Sequence, residues 1–420
     1  MTDAEARALL HACFEAALGA AAAGPAVLRH LPEKPRGRCV LVGAGKASAA
    51  MAAAVDAAWP DVEVTGLVAT RYGHALPAGR ISVIEAGHPV PDENSVRAAR
   101  AMLAAVAGLG PDDLVLALVS GGGSASLALP AGGLDLAAKQ SLTRALLGSG
   151  APISAINTVR RHISAVKGGR LAAASAPARV VTLLVSDIPG DDPAAVASGP
   201  TLADGTTPDD ALAVLDRHAI PIPPQLRRHL ARASDAPTPA RNGPAVVIAA
   251  PGMALAAAAA KAREMGIDAE ILGDAFEGES RELARTMAAG ALARMPGRPL
   301  VLLSSGETTV TLRPGSTGSG GRNSEFALAL ALALDGNRGI WALAADTDGI
   351  DGASDAAGAL VAPDTLARGA ALGLDPAAML AAHDSHALFA ALGDAVVTGP
   401  THTNVNDFRA ILVLPANTPH

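Results

Sequence analysis

Several short segments of this sequence combine glycine with lysine or serine, which is the composition of anion-binding loops. Each of the first two such segments directly follows an apolar run that is typical of a buried strand. Glycines let backbone amides approach an anion closely, and amides at the beginning of a helix point toward it. We therefore predict phosphate or carboxylate binding by the following residues: Gly43, Gly45, Lys46, Ser120, Gly121, Gly122, Gly123 and Ser124.

Basic and acidic side chains follow in the next segments. Arg160 and Lys167 stand at helical spacing, so they either bind an acid group or form an ordinary basic helix face. Asp187 and Asp191 come after another apolar run, and Asp348 lies in the segment DTDGIDG at 346–352. Mg²⁺ needs only one or two carboxylates, although turns capped by aspartate have the same composition. These three aspartates are candidates for holding Mg²⁺ or for accepting a hydroxyl proton, and the two roles stay open among them.

Near the C-terminal end, further polar loops follow apolar runs. A glycine-rich segment ends in Arg322 and Asn323, and the arginine fork suits bidentate contact with a carboxylate or a phosphate. Other residues in these loops share a small or polar character that suits a ligand site: Gly306, Glu307, Asn404 and Asn406.

The elements that must position these residues alternate between apolar strands and helices. Such alternation predicts βαβ units with a parallel sheet covered on both faces, and open α/β sheets bind ligands at the carboxyl ends of their strands. One long helix is expected over 153–176. The proline-rich segment 220–243 marks a boundary, so we predict two α/β domains, 1–236 and 237–420.

Composition and net charge argue against some classes of binding partner. The chain has 420 residues, is 50% hydrophobic, and carries a net charge of −7, which argues against nucleic-acid binding. No stretch predicts a membrane span, because the long uncharged runs are interrupted by glycine or proline. Two cysteines cannot form a disulfide framework, so a cytoplasmic setting is expected. Association of identical copies stays open.

Taken together, these motifs closely resemble the ATP-dependent glycerate 2-kinase family, whose C-terminal domain is called MOFRL. The matching runs span nearly the whole chain in order: GAGKASAAM, GHPVPDENS, SGGGSASL, INTVRRHISAVKGGRLA, SDIPGDDPAAVASGPT, SGETTVTL, GGRNSEFAL, DTDGIDG and TGPTHTNVNDF. The resemblance implies a Rossmann-like parallel-sheet domain, a smaller α/β domain, and an active site in the cleft between them.

The resemblance also implies a reaction and a set of roles. ATP would phosphorylate D-glycerate to 2-phosphoglycerate with Mg²⁺, and Lys46 and Arg322 would be the catalytic pair. Asp187 and Asp348 join them as candidate catalytic residues. Ser186, Arg160 and Lys167 are then the expected contacts of the glycerate, while the glycine loops and the polar residues of the C-terminal loops would bind ATP.

Two other functions remain open at the level of sequence. A GxG after a first strand also occurs in dehydrogenases, and the family has carried the label hydroxypyruvate reductase. Ser48 breaks the full GxGxxG pattern, whereas Asp61 and Glu63 leave room for the acidic residue that binds ribose. A non-catalytic nucleotide-binding protein would bind ATP without turnover.

Overall fold

The structure, a computed structural model, describes residues 1–131, 133–232, 242–294, 296–312 and 318–415. The chain forms two units. The first unit comprises Ala23–Ile248, and the second unit joins Met1–Ala22 to Ala249–His420. Among the described residues, no single helix is long and apolar enough to cross a membrane, and only the first two helices taken together pass the same test of length and composition.

This division differs from the expected boundary at 236/237. Helix α1 (Asp3–Ala21) begins at a capping box formed by Thr2 and Glu5, and its apolar face packs on α11 (Pro251–Glu264) of the second unit. Strand β6 (Asn242–Ala249), which lies beyond residue 236, forms the edge of the sheet in the first unit. An apolar helix face needs a partner that is close in space, and its position in the sequence does not reveal which one.

The sheet of the first unit has the Rossmann strand order β3-β2-β1-β4-β5-β6, and the pairs from β3 to β5 are parallel. Its remaining strands are β1 (Cys39–Ala44), β2 (Val64–Arg71), β3 (Ser82–Ala86), β4 (Leu114–Ser120) and β5 (Arg179–Val185). Strands β1 and β4 are fully buried, as expected for a parallel sheet covered on both faces, whereas the edge strand β3 contains Ser82 and Glu85 and is largely half-buried. The helices of this unit are α2 (Ala23–Arg29), α3 (Ser48–Ala58), α4 (Glu93–Val106), α5 (Gly123–Ser126), α6 (Leu136–Gly148), α7 (Ile153–His162), α8 (Arg170–Ala174), α9 (Pro208–Arg217) and α10 (Pro224–Arg232).

The prediction of one long helix over 153–176 is wrong, because the structure has two helices there. Helix α7 ends at His162 and α8 begins at Arg170, so a turn separates them. Gly168 and Gly169 in that turn have φ angles of +59° and +81°, which L side chains rarely adopt. The break brings Lys167 out of the helix and into a tight turn.

The second unit contains a mixed sheet in the order β13-β12-β11-β14-β9-β7, in which only the β7–β9 pair is parallel. Its strands are β7 (Asp268–Gly273), β9 (Leu300–Gly306), β11 (Ile340–Asp346), β12 (Gly358–Val361), β13 (Ala395–Val396) and β14 (Asp407–Val413), and β8 (Gly278–Glu279) pairs separately with β10 (Thr308–Thr309). The remaining helices are α12 (Ser280–Leu292), α13 (Arg322–Leu334), α14 (Thr365–Ala371), α15 (Pro376–Ala381) and α16 (Ser385–Leu392). The last strand of the chain, β14, therefore lies inside the sheet between β9 and β11.

Candidate active site

The loops after β1 and β4 lie at the switch point of the first sheet, because the strand order runs outward in opposite directions from these two neighbours. Ligands of open α/β sheets bind in the crevice at such a point. The two loops hold each other directly. The amide of Lys46 donates to the carbonyl of Gly121 at 2.9 Å, and the amide of Ala47 donates to Ser120 Oγ at 3.0 Å.

This interlock corrects the role predicted for Gly43 and Gly45. The Gly45 amide donates to the carbonyl of Ala69, so the amides of residues 45–47 all bond within the protein and are not left for an anion. A Cβ at Gly45 would lie 2.2 Å from Ser120 Oγ, and one at Gly43 would lie 2.3 Å from the carbonyl oxygen of Leu118. Both glycines are therefore explained by close packing of the loops.

The triglycine turn offers a different environment. Gly122 has a φ of +81°, and a Cβ there would meet the ring of His88 at 3.4 Å and Cγ of Lys46 at 3.5 Å. Gly123 begins helix α5, whose first amides have no acceptor one turn earlier, as at any helix start. Although the His88 side chain is exposed, loss of hydration and the positive charges of Lys46, Arg71 and Arg160 together lower its pKa to about 4.

A chain of hydrogen bonds connects this turn to Arg160. Ser124 Oγ lies 2.7 Å from Ser198 Oγ, which donates to Asn157 Oδ1 at 2.9 Å. Arg160 Nη1 donates to the same Asn157 oxygen at 3.4 Å. The predicted basic residue Arg160 thus lies at the same site as the triglycine turn.

Lys167, the second predicted basic residue, is buried in the turn before α8. Its Nζ donates to the carbonyl of Ala197 at 3.2 Å, and Ala197 and Ser198 both have positive φ angles, of 51° and 62°. Such strain in non-glycine residues costs on the order of 1–3 kcal/mol each and concentrates at functional sites. Burial lowers the pKa of Lys167, and the nearby positive charges of Lys139 and Arg160 lower it further. Sequence reasoning did not find Lys139, since a single lysine on α6 carries no local signal.

The aspartates of the first unit lie in the loop after β5. Ser186 is fully buried and accepts a hydrogen bond from the amide of Ile188 at 3.4 Å. Asp187 follows it, and Asp191 has a φ of 51°. In the part of the chain that the structure describes, Asp191 Oδ1 is a buried oxygen without a hydrogen-bond partner. That oxygen is a candidate ligand for a cation.

In the second unit, Arg322 is held by three carboxylates. Its Nε donates to Asp407 Oδ1 at 2.7 Å, its Nη1 to Glu307 Oε1 at 2.8 Å, and its Nη2 to Asp346 Oδ2 at 2.7 Å. These contacts raise the pKa of Arg322 despite its burial. The arginine is fixed in one orientation, and only its Glu307 partner is largely exposed, at 57%.

Asp407 is the hub of this cluster and was missed by the sequence reasoning. It starts β14, where it pairs in register with Asp346 on one side and Gly306 on the other. Besides Arg322, its side chain accepts from Asn323 Nδ2 at 2.7 Å and from Arg409 Nη2. Arg409 is completely buried and packs its guanidinium 5.1 Å from the centre of the Phe326 ring.

Asp351 fixes the beginning of α13, which carries Arg322. Its two oxygens accept the amides of Asn323 and Ser324, both at 2.8 Å, and burial raises its pKa. Asp348 accepts the amide of Ile350 at 3.0 Å. A carboxylate at a helix start is favourable because it meets both free amides and the positive end of the helix dipole.

The other predicted residues of this unit are placed by backbone packing. Asn404 and Asn406 lie in the segment before β14, and the carbonyl of Asn406 accepts both the amide and the hydroxyl of Thr347. Gly306 has a φ of +129°, and a Cβ there would lie 2.2 Å from the carbonyl oxygen of Phe276. A close approach of two backbone segments therefore requires glycine at this position, and the predicted ligand contact of Gly306 stays a prediction.

The predicted metal ligands do not gather into a preformed cage. Among the described residues, no group of three or more His, Cys, Asp or Glu side chains is arranged to hold a metal ion. Mg²⁺ commonly uses one or two carboxylates and completes its shell with water and substrate phosphates. Asp187 and Asp191, with the buried oxygen of the latter, fit this kind of open site.

Fold and charge together define the first unit as a Rossmann-type α/β domain with a cationic site at its switch point. A profile of the family described as a domain of unknown function, DUF4147, matches residues 9–231, and the MOFRL family matches residues 300–407. The D-glycerate 2-kinase of Thermotoga maritima is 40% identical, over 93% of this chain and 94% of its own length. The chain therefore belongs to the glycerate 2-kinase family.

Two further comparisons bear on the function. A crystal structure of glycerate kinase from Thermotoga maritima matches with a TM-score of 0.88 at 38% identity, and covers 98% of this chain and 100% of that one. A protein of Agrobacterium vitis that carries the provisional name hydroxypyruvate reductase is 58% identical, over 98% of this chain and 95% of its own length.

Proposed function

We propose that the protein is an ATP-dependent glycerate 2-kinase that converts D-glycerate to 2-phosphoglycerate. The observation that carries this proposal is the concentration of positive charge at the switch point of the first sheet. Lys46 lies against Gly122, and hydrogen bonds through Ser198 and Asn157 connect Arg160 to the triglycine turn. Lys167 bonds to Ala197, which lies beside Gly123. Phosphoryl transfer requires mainly positioning of the substrates and neutralisation of charge. The family supplies the chemical class, since its named relatives include D-glycerate 2-kinase.

In this proposal the residues of the first unit bind the anionic groups of both substrates. The amides at the start of α5, from Gly122 to Ser124, and the side chain of Lys46 contact the phosphates of ATP. Arg160, Lys167 and Ser186 contact the glycerate.

The reaction joins the 2-hydroxyl oxygen of glycerate to the γ-phosphorus while the bond from that phosphorus to the β–γ bridging oxygen breaks. ADP leaves, and the hydroxyl proton passes to a carboxylate. Asp187 and Asp348 are the candidates for this base. Asp187, Asp191 and Asp348 are also the candidates for holding Mg²⁺, which when bound would neutralise charge on the phosphates.

Arg322 is proposed to stabilise the charge on the transferred phosphoryl group. In the structure all three of its nitrogens donate to carboxylates, so this role requires one of them to be released. Glu307 is the partner that is largely exposed, and exposed ion pairs contribute about 0–1 kcal/mol. Nη1 is thus the nitrogen that becomes free at least cost, while Asp407 and Asp346 keep the guanidinium in place.

Hydroxypyruvate reduction is the second candidate, and the name carried by the Agrobacterium vitis relative favours it. The geometry of the first unit weighs against it. A dinucleotide needs free amides after β1, but those of residues 45–47 bond within the protein. The acidic residue should follow β2, yet Asp61 and Glu63 precede β2, and Asp61 pairs with Lys34 at 2.7 Å. Arg71 ends β2, and a basic residue at this position suits the 2′-phosphate of NADPH better than the free ribose of NADH.

A ³¹P NMR spectrum of the purified protein with MgATP and D-glycerate tests the proposal. We expect signals of ADP and 2-phosphoglycerate. A 3-phosphoglycerate signal would overturn the assigned position of transfer. A parallel reaction with hydroxypyruvate and NADH or NADPH provides the control, and consumption of reduced cofactor without any phosphoester would establish the reductase instead.

The state of the two cysteines bears on the cellular compartment in which the enzyme works. Cys13 and Cys39 are both buried and free, and burial raises the pKa of their thiols to about 11 and about 12. Unreactive thiols of this kind are compatible with the reducing cytoplasm, where we place the protein.

A further inference from the structure

Lys139 is a buried lysine in a region where the chain already buries other cations. It is only 3% exposed on helix α6, and Lys167 is 1% exposed. The Nζ of Lys139 donates to the carbonyl of Ile163 at 3.4 Å, and that of Lys167 donates to the carbonyl of Ala197 at 3.2 Å. Each ammonium has three donors, so one long hydrogen bond leaves most of its capacity unused.

Among the described residues, these cations have no acidic partner. In the parts of the chain that the structure describes, none of the hydrogen-bond or ion-pair partners of Lys139, Arg160 and Lys167 is a carboxylate. Arg161, the next residue along α7, is different because Asp204 forms an ion pair with it. The chain thus supplies a carboxylate where a buried cation has a structural role.

Buried charges without a counter-ion are costly, and proteins retain them where a ligand supplies the opposite charge. Lys139 lies on α6 and Lys167 lies in the turn that links α7 to α8, where Lys139 bonds to the carbonyl of Ile163. The residue chain Ser124–Ser198–Asn157–Arg160 connects the same place to the triglycine turn. The missing counter-ion therefore belongs at the ligand site.

We propose that Lys139 completes an anion site with Arg160 and Lys167, and that this site binds the carboxylate of the acid substrate. This inference rests on the proposed kinase function and adds a third cation to it. The alternative anion is a phosphate of ATP. A carboxylate fits better because the two lysines are almost closed off from solvent, which suits a compact substrate. A nucleoside triphosphate needs a more open surface, and His88, whose ring lies near Gly122, is exposed.

The variant Lys139→Met tests the inference by steady-state kinetics. Loss of one charge-assisted contact is expected to raise the KM for D-glycerate by about 10- to 100-fold. We expect the KM for ATP and the kcat to change by less than about threefold, because a contact made equally in the ground and transition states affects KM alone. Lys34→Met, which removes an exposed lysine of the same unit, is the matched control and should behave as the wild type.

A pH profile separates a binding role from a packing role. Burial, together with the positive charge of Arg160, lowers the pKa of Lys139 to about 7. Only the ammonium form attracts a carboxylate, so the wild-type KM for D-glycerate should rise as the pH increases through 7. Lys167 and Arg160 also face this anion, and Lys167 has a lowered pKa of its own. The rise should therefore become less steep in Lys139→Met without vanishing.

The kinetic results distinguish failure of the carboxylate site from failure of the kinase proposal. An unchanged KM for D-glycerate, or an equal rise in the KM for ATP, overturns the carboxylate site. Absence of any phosphoglycerate from the wild-type enzyme overturns the kinase proposal instead. Methionine removes a buried charge, so the variant should unfold at or above the wild-type temperature, and a lower temperature would point to a packing role. Lys139→Gln provides the same kinetic comparison if the methionine variant does not fold.

Discussion

Two of the three carboxylates that hold Arg322 in the second unit, the buried Asp407 and the exposed Glu307, should differ sharply in their contribution to stability. Asp407 is fully buried and contacts both Arg322 and the fully buried Arg409. Glu307 contacts only the outer nitrogen of Arg322 and is 57% exposed. We predict that Asp407→Asn strongly destabilises the second unit, whereas Glu307→Gln does not.

The magnitudes follow from burial. Removing one member of a buried ion pair costs about 3–5 kcal/mol, because the other charge stays buried without compensation. An exposed pair contributes about 0–1 kcal/mol. For a domain of roughly 200 residues, each kcal/mol shifts the Tm by about 2–4 °C. Asp407→Asn should therefore lower the Tm by about 6–20 °C, and Glu307→Gln by no more than about 4 °C.

Differential scanning calorimetry of the whole protein measures both shifts, and hydrogen exchange identifies which unit opens. Adding Arg409→Met to Asp407→Asn provides a further check. Because the double variant buries no unpaired Arg409 charge, its Tm should recover part of the loss. Equal Tm values for the two single variants would refute the reasoning, and so would a double variant less stable than Asp407→Asn alone.

Two further predictions concern catalysis by single residues. Lys46→Ala should keep the fold but lower kcat by about 10²- to 10⁵-fold, as for other contacts to transition-state charge, and near-wild-type turnover would remove Lys46 from the mechanism. Asp348→Asn should raise the Mg²⁺ concentration needed for half-maximal activity, and an unchanged Mg²⁺ titration would leave Asp348 as a loop residue whose oxygen holds the amide of Ile350.

The sequence predicted the first sheet well, because parallel strands buried on both faces are continuous apolar runs. It also predicted glycine-rich loops directly after β1 and β4, where the structure has them. It could not predict how the loop amides are used. The segment 43–47 has the composition of a phosphate loop, but the amides of residues 45–47 bond to Ala69, Gly121 and Ser120, which are distant in the sequence.

The second unit was less predictable for a topological reason. Strand β14 ends the described chain but enters the sheet between β9 and β11, in antiparallel pairing with both. That insertion places Asp407 beside Asp346 and Arg322, and no local pattern indicates it. Strand β12 and helices α14 to α16 were also missed, because their short apolar runs have no distinct period.

What the sequence determined by itself is the set of local features: the apolar strands, the glycine turns, and the motifs that identify the family. The tertiary structure decided which charges are compensated. Lys139 and Asp407 look like ordinary polar residues in the sequence. In the described part of the chain, Lys139 is a buried cation that bonds to a carbonyl and to no carboxylate, whereas Asp407 neutralises two arginines. Which segments meet in space decides whether a charge is buried and whether it is paired. Burial and pairing together determine the free energy of that charge.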